Sequence, residues 1–169
     1  YGVKKMIKVA TVFSGIGAAE QAFQQINKDF EIIFACDNGE RYLKESAEEI
    51  SKKLKKYPKI KREEILKEIY NSTGKENNVK KSYFANYDIS EEKWFEDIRF
   101  LDGKPYKGKV DIFIGGSPCQ SFSTYGNKKG LEDVRGTLFY DYARLVKEIQ
   151  PKAFIFETKR ENWLILKNP

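Results

Sequence analysis

The residues of this chain best suited to chemistry are one cysteine in a polar, glycine-rich stretch and several carboxylates that each follow an apolar run. Cys119 stands directly after Pro118 in the stretch 115–136, where proline fixes the backbone ahead of the thiol. A free thiol near pKa ~8.5 is only a few per cent ionised at neutral pH, so a reactive one needs a donor or cation beside it. Lys128, Lys129 and Arg135 lie on the same stretch. Cys36, the other cysteine, closes an apolar run and reads as a buried, inert thiol. Asp37, Asp88 and Glu157 follow short apolar runs, and Gly15 and Gly17 follow another. Glycines there either let the backbone approach a bound group at the start of a helix or make a tight turn. The third glycine of the dinucleotide fingerprint would fall near Glu20 and is absent, which favours a nucleoside without phosphates over a pyrophosphate. Asp37 suits a pair of ribose hydroxyls and Asp88 an adenine amino group, and either would serve equally as a helix cap.

Alternating elements position these residues. Ile7 to Phe13 reads as a strand, followed by the glycine turn and a helix over 18–26; Phe30 to Cys36 is a second strand. A helix follows from about Gly39 to Lys56, with Leu43, Ala47, Ile50 and Leu54 on one face, and helix resumes after Pro58 over Lys61 to Tyr70. Residues 71–82 have no periodicity and read as a surface loop. Tyr83 to Tyr87 reads as a third strand ending at Asp88, and Ser90 as a cap for a helix carrying Glu91 and Glu92. Val110 to Ile114 is a fourth strand, Thr137 to Ile149 a helix, and Ala153 to Phe156 a fifth strand ahead of Glu157. This order predicts an α/β fold with a mostly parallel sheet covered by helices on both faces. Ligands then belong beyond the carboxyl ends of the strands, where Ser14 to Gly17, Asp37, Asp88, Cys119 and Glu157 fall.

Composition narrows the classes further. The 169 residues are 40% hydrophobic, enough for one domain to bury a core, which excludes disordered and collagenous chains. Two cysteines and no histidine exclude a disulfide framework, the usual zinc sites and histidine-based triads, so proton transfer falls to carboxylates, Lys, Tyr or Cys. No apolar run of eighteen residues and no signal peptide are evident, so a soluble protein of the cytoplasm with no membrane partner is expected. The net charge of +6 favours a polyanion. All of it lies between residues 41 and 81, which hold 13 basic and 7 acidic side chains; the remainder carries 18 of each.

Residues 115–141 resemble the active-site loop of the DNA cytosine-5-methyltransferases of bacterial restriction-modification systems. The resemblance rests on Pro118-Cys119-Gln120, Ser121-Phe122-Ser123, Arg135-Gly136-Thr137-Leu138, the opening Phe13-Ser14-Gly15-Ile16-Gly17-Ala18, and Pro151 followed six residues later by Glu157. It implies a Rossmann-like methyltransferase fold and S-adenosyl-L-methionine as the methyl donor. Cys119 would attack carbon 6 of a flipped cytosine while Glu157 protonates or stabilises ring nitrogen 3. Phe13, Ser14, Gly15, Gly17, Asp37, Asn38, Asp88, Ile89, Pro118 and Leu138 would line the cofactor pocket. Gln120, Ser123 and Arg135 would face DNA or brace the loop, with Gly126, Gly130 and Gly136 as pivots. Double-stranded DNA is the implied substrate, a restriction endonuclease of the same system the implied partner, and no metal is needed. The family continues its glutamate as Glu-Asn-Val, whereas Thr158-Lys159-Arg160 follow Glu157 here. A related family acts on cytosine in tRNA. The expectation is thus a partial catalytic domain over 1–169, incomplete at its C-terminus and without a target-recognition domain, with a basic helical insert at about 41–82. The alternatives are an inactive fragment that keeps a cofactor or nucleic-acid surface, and a nicotinamide-linked oxidoreductase, against which the missing third glycine counts.

Overall fold

Six strands form one sheet because the apolar, β-branched runs of the chain are buried on both faces and separated by helices that return the chain to the same edge. The computed structural model describes residues 6–116, 134–157 and 164–167. In chain order the elements are β1 (Ile7–Val12), α1 (Ala18–Gln25), β2 (Phe30–Cys36), α2 (Ala47–Lys55), α3 (Lys59–Asn71), α4 (Asn78–Asn86), β3 (Trp94–Phe95), β4 (Ile112–Gly116), α5 (Val134–Ile149), β5 (Ala153–Glu157) and β6 (Leu164–Lys167). The strand order is β3-β2-β1-β4-β5-β6; the first five are parallel and β6 runs antiparallel to β5. The order reverses between β1 and β4, the point at which such sheets open a crevice at their carboxyl ends.

Alternation along the strands decides what covers each face. Ala10, Val12, Phe34, Cys36, Phe95, Phe113 and Phe156 pack with Tyr142, Leu145 and Ile149 of α5. Tyr142 stacks on Phe113 with ring centres 4.9 Å apart, and its hydroxyl donates to the Ile155 carbonyl at 2.9 Å. On the opposite face Ala35 and Trp94 pack with Tyr83 and Tyr87 around α4. The hairpin of α2 and α3 has its own core of Ile50, Leu54, Leu66 and Tyr70, closed by Phe100.

Three expectations are corrected. Residues 83–86 are helical and Tyr87 ends the helix with extended backbone: Tyr83 and Tyr87 lie four residues apart and both turn their rings toward the sheet, so α4 occupies part of the expected loop and the expected third strand. The third strand is Trp94–Phe95, preceded by a single 3-10 turn over Glu91–Lys93 where a full helix was expected. The helix expected from Gly39 starts at Ala47, because Gly39 and Glu40 adopt positive φ and Ser46 closes a capping box with Glu49. The fifth strand and the helices on both faces are as expected; β6 was not anticipated. No helix among the described residues is long and apolar enough to cross a membrane.

Candidate functional site

The carboxyl edge of the sheet is organised around the turn that follows β1. Phe13, Gly15 and Gly17 all hold positive φ (53°, 56° and 93°), which folds the chain sharply from strand into α1. Ser14 is turned inward: its hydroxyl accepts the Cys36 N–H at 3.0 Å, and its own N–H donates to the Cys36 carbonyl, extending the β1–β2 ladder by one residue. Asp37, directly after β2, accepts the Gly15 N–H at 2.9 Å through one carboxylate oxygen and the Gly39 N–H at 2.8 Å through the other. It caps no helix; it ties the glycine turn to the end of β2. Burial raises its carboxyl above the ordinary value, against the partial pull of the Gly39 and Gly15 N–H donors. No described atom lies within 4 Å of the position a Cβ would take on Gly15. Asn38 folds onto its own loop, accepting the Glu40 N–H and donating to the Arg41 carbonyl.

Beneath this turn lies a polar cluster that sequence reasoning missed. Glu20, in the first turn of α1, is fully buried and accepts the hydroxyls of Thr11 at 2.8 Å and Tyr83 at 2.6 Å, while its Oε2 has no partner among the described residues. Thr11 also meets the Ser14 hydroxyl at 2.8 Å, so the cluster reaches the turn directly. Tyr87 donates to the Gly17 carbonyl at 2.7 Å, and its ring fills the space where a Cβ of residue 17 would sit. The tyrosine spacing in α4 was the available signal.

Asp88 and Ile89 are not brought to this edge. Asp88 is exposed in a cleft of about 300 Å³ with Met6, Phe30, Glu31 and Lys93, beside the amino ends of β1 and β2, and Ile89 is buried against Trp94. The carboxyl end of β3 carries Glu96 and Asp97 instead. Glu96 is buried and paired with Arg41, and it accepts from Asn77, whose amide also donates to the Asp37 carbonyl at 2.9 Å. Asp97 accepts the Tyr70 hydroxyl at 2.5 Å and the Arg99 guanidinium at 2.7 Å. Burial and the neighbouring Asp97 and Glu96 carboxylates push Glu63 of α3 up to about 7, against the pull of Lys67. Burial first, then the charge of Asp97, raises the Cys36 thiol well above its ordinary value, which fits the inert thiol expected there. The dipeptide Asp-Ile occurs at 88–89, 97–98 and 111–112, and only the one at 97–98 comes just after an apolar strand, with Glu96 between.

On the other side of β1, Glu157 ends β5 next to Gly116, the last residue of β4. A Cβ on Gly116 would lie 2.9 Å from the Glu157 Cβ and 3.1 Å from its Oε2, so the glycine makes room for that side chain. Glu157 is exposed. Leu138 packs from α5 against the core below. Pro118, Cys119, Gln120, Ser123, Lys128 and Lys129 lie outside the described residues; Arg135 and Gly136 belong to the first turn of α5, and the Arg135 side chain is likewise outside them. Among the described residues no cluster of His, Cys, Asp or Glu is placed to hold a metal ion.

A backbone turn open above Gly15, a carboxylate fixed beside it and an exposed carboxyl across the switch point can hold a nucleoside and deliver a proton at one edge. Residues 60–160 match the family model described as C-5 cytosine-specific DNA methylase. The orphan methyltransferase M.SPRI of Bacillus phage SPR is 34% identical over 89% of this chain and 26% of its own length. The type II methyltransferase M.Eco47II of Escherichia coli is 50% identical over 38% of this chain and 15% of its own. Among solved structures, the S. pombe Dnmt2 methyltransferase superposes with a TM-score of 0.51 at 18% identity, over 92% of this chain and 37% of that one. The chain thus spans about a quarter or less of the length of these curated relatives.

Proposed function

The chain belongs to the C-5 cytosine-specific DNA methylase family, and on that premise we propose that it forms the catalytic front of an enzyme that methylates carbon 5 of cytosine in duplex DNA. The observation that carries this is the shared edge, with Gly15 and Asp37 on one side of the switch point and Glu157 on the other; in sequence Cys119 follows the end of β4 by three residues.

The methyl donor proposed is S-adenosyl-L-methionine, and the residues present fit it. Each Asp37 oxygen takes one backbone N–H, leaving lone pairs for ribose hydroxyls, and the space above Gly15 admits a group against the backbone. When bound, the cofactor supplies an electrophilic methyl group for carbon 5. The Cys119 thiolate adds to carbon 6 of a flipped cytosine, and the electron pair of the 5,6 double bond shifts onto carbon 5 and, through carbon 4, to ring nitrogen 3. Glu157 gives a proton to, or holds one at, ring nitrogen 3, so that no full negative charge builds there. Carbon 5 becomes nucleophilic; once it is methylated, loss of its proton to solvent water expels the Cys119 sulfur as thiolate and restores the double bond. Gln120, Ser123 and Arg135 are assigned to DNA contact or loop bracing, and Pro118 and Leu138 to the cofactor side. A restriction endonuclease with the same target sequence is the partner this reading carries.

The test is the product formed by the full-length protein with labelled cofactor. Label should appear as 5-methylcytosine in duplex DNA and vanish in Cys119→Ser. Label in tRNA alone, or an active Cys119→Ser enzyme, contradicts the assignment.

A further inference from the structure

The turn between α2 and α3 carries charge that the fold does not use. Residues 51–62 hold seven cations, Lys52, Lys53, Lys55, Lys56, Lys59, Lys61 and Arg62, and no acid. Lys53 pairs with Glu45 at 2.5 Å, Lys59 with Asp102 at 3.3 Å, and Arg62 donates to the Tyr57 carbonyl. The exposed side chains of Lys52, Lys55, Lys56 and Lys61 make no ion pair or hydrogen bond among the described residues. The cations at the start of α3 are also not what helix stability asks for. Lysines in the last turn of α2 complement its dipole, but Lys59, Lys61 and Arg62 sit in the first turn of α3, which has no acid and no side-chain cap. Cations there oppose the macrodipole. Ile60 at 89% exposure and Tyr57 at 41% lie on the same turn, so the surface is basic with apolar contact points between the charges.

The four unpaired lysines are not among the residues that build the candidate catalytic edge. Nine residues of α2 carry the chain about 14 Å from Ser46. The ion pair with Asp102 sets the turn beside the segment that leads from the carboxyl end of β3 back to the amino end of β4. We propose that this turn is a second, sequence-independent contact for duplex DNA, taking phosphates of a stretch that flanks the target base. Phosphate is the chemistry favoured because the cations are single, mobile ammonium groups spread over two helix ends, which suits a line of regularly spaced charges. The inference rests on DNA as the substrate proposed above, but its test reads binding, not methylation.

The measurement is the affinity of the full-length protein for a duplex lacking its target, followed by fluorescence anisotropy over a range of salt. Lys52, Lys55, Lys56 and Lys61 changed together to Gln should lower the magnitude of the log–log salt slope by about 2–4, at roughly 0.9 for each phosphate no longer neutralised. The four changed to Arg should keep the slope, since charge is retained. A control with Lys8, Lys28, Lys107 and Lys109, which lie at or before the amino ends of β1, β2 and β4, changed to Gln should leave it near the wild-type value. An unchanged slope in the first variant overturns the proposal, as does an equal fall in the control, which would make net charge the cause. An effect seen with single-stranded RNA but not with duplex DNA also overturns it. If DNA binding follows the prediction but no 5-methylcytosine forms, the surface stands and the proposed function fails; methylation with an unaltered slope has the opposite meaning.

Discussion

Two carboxyls, Glu157 and Glu63, differ in their surroundings, and the proposed function uses only the first. Glu157 is exposed at the end of β5 with its neighbour Gly116 stripped of a side chain, a position from which a proton can be given to a base held at the edge. Glu157→Gln should lower turnover by roughly two to four orders of magnitude while cofactor affinity in calorimetry stays close to wild type; unaltered turnover would remove Glu157 from the mechanism. Glu63 is a cost of the packing. Its Oε2 is buried without a partner among the described residues, beside Asp97 and Glu96, and its carboxyl is pushed up to about 7. A carboxyl that holds its proton more tightly folded than unfolded favours the fold below its ordinary range, and that contribution is lost as pH rises through about 7. Glu63→Gln should therefore stabilise the protein by about 1–3 kcal/mol at pH 8, with the gain disappearing near pH 4. Urea denaturation at the two pH values checks this. Cys119 is proposed from its neighbours in sequence and lies outside the described residues; Glu20, Glu96 and Asp97 were not legible in the sequence, because a buried carboxylate declares itself only through the partners that surround it.

At the level of elements, the glycine turn depends on α4. Tyr87 both donates to the Gly17 carbonyl and occupies the space of a side chain at residue 17, so the turn and the helix fit in only one way. Gly17→Ala meets an unfavourable φ and the Tyr87 ring together and should cost about 1–3 kcal/mol or more, with loss of cofactor binding. Tyr87→Phe removes only the hydrogen bond and should cost about 1 kcal/mol. Denaturation midpoints and calorimetric titration with S-adenosylmethionine separate the two; equal, negligible effects would mean the turn is held from elsewhere. Here the sequence misled. An aromatic run such as Ser82 to Tyr87 has strand propensity, and only the four-residue spacing of Tyr83 and Tyr87 pointed to a helix. A two-residue strand, Trp94–Phe95, is too short to show a period at all, so the acidic strand end was sought at Asp88, nine residues before Asp97. Strands β1, β2, β4 and β5, long enough to form continuous apolar runs, were readable to within two residues.

Over the whole molecule, charge and chemistry occupy different places. The net +6 belongs to the segment containing α2 and α3, whereas the candidate catalytic edge is lined by carboxylates and glycines. A mostly parallel sheet with its order reversed between β1 and β4 brings residues more than a hundred apart, Gly15 and Glu157, to one edge, where the proposed function needs its carboxyl acid in a chain without histidine. The most direct test of that account is covalent capture: the full-length protein with S-adenosylmethionine and a target duplex carrying 5-fluorocytosine, whose fluorine blocks the final elimination, followed by peptide mass spectrometry. A stable protein–DNA adduct that maps to Cys119 and disappears in Cys119→Ser is predicted. An adduct at another residue, or one that persists in Cys119→Ser, would contradict it.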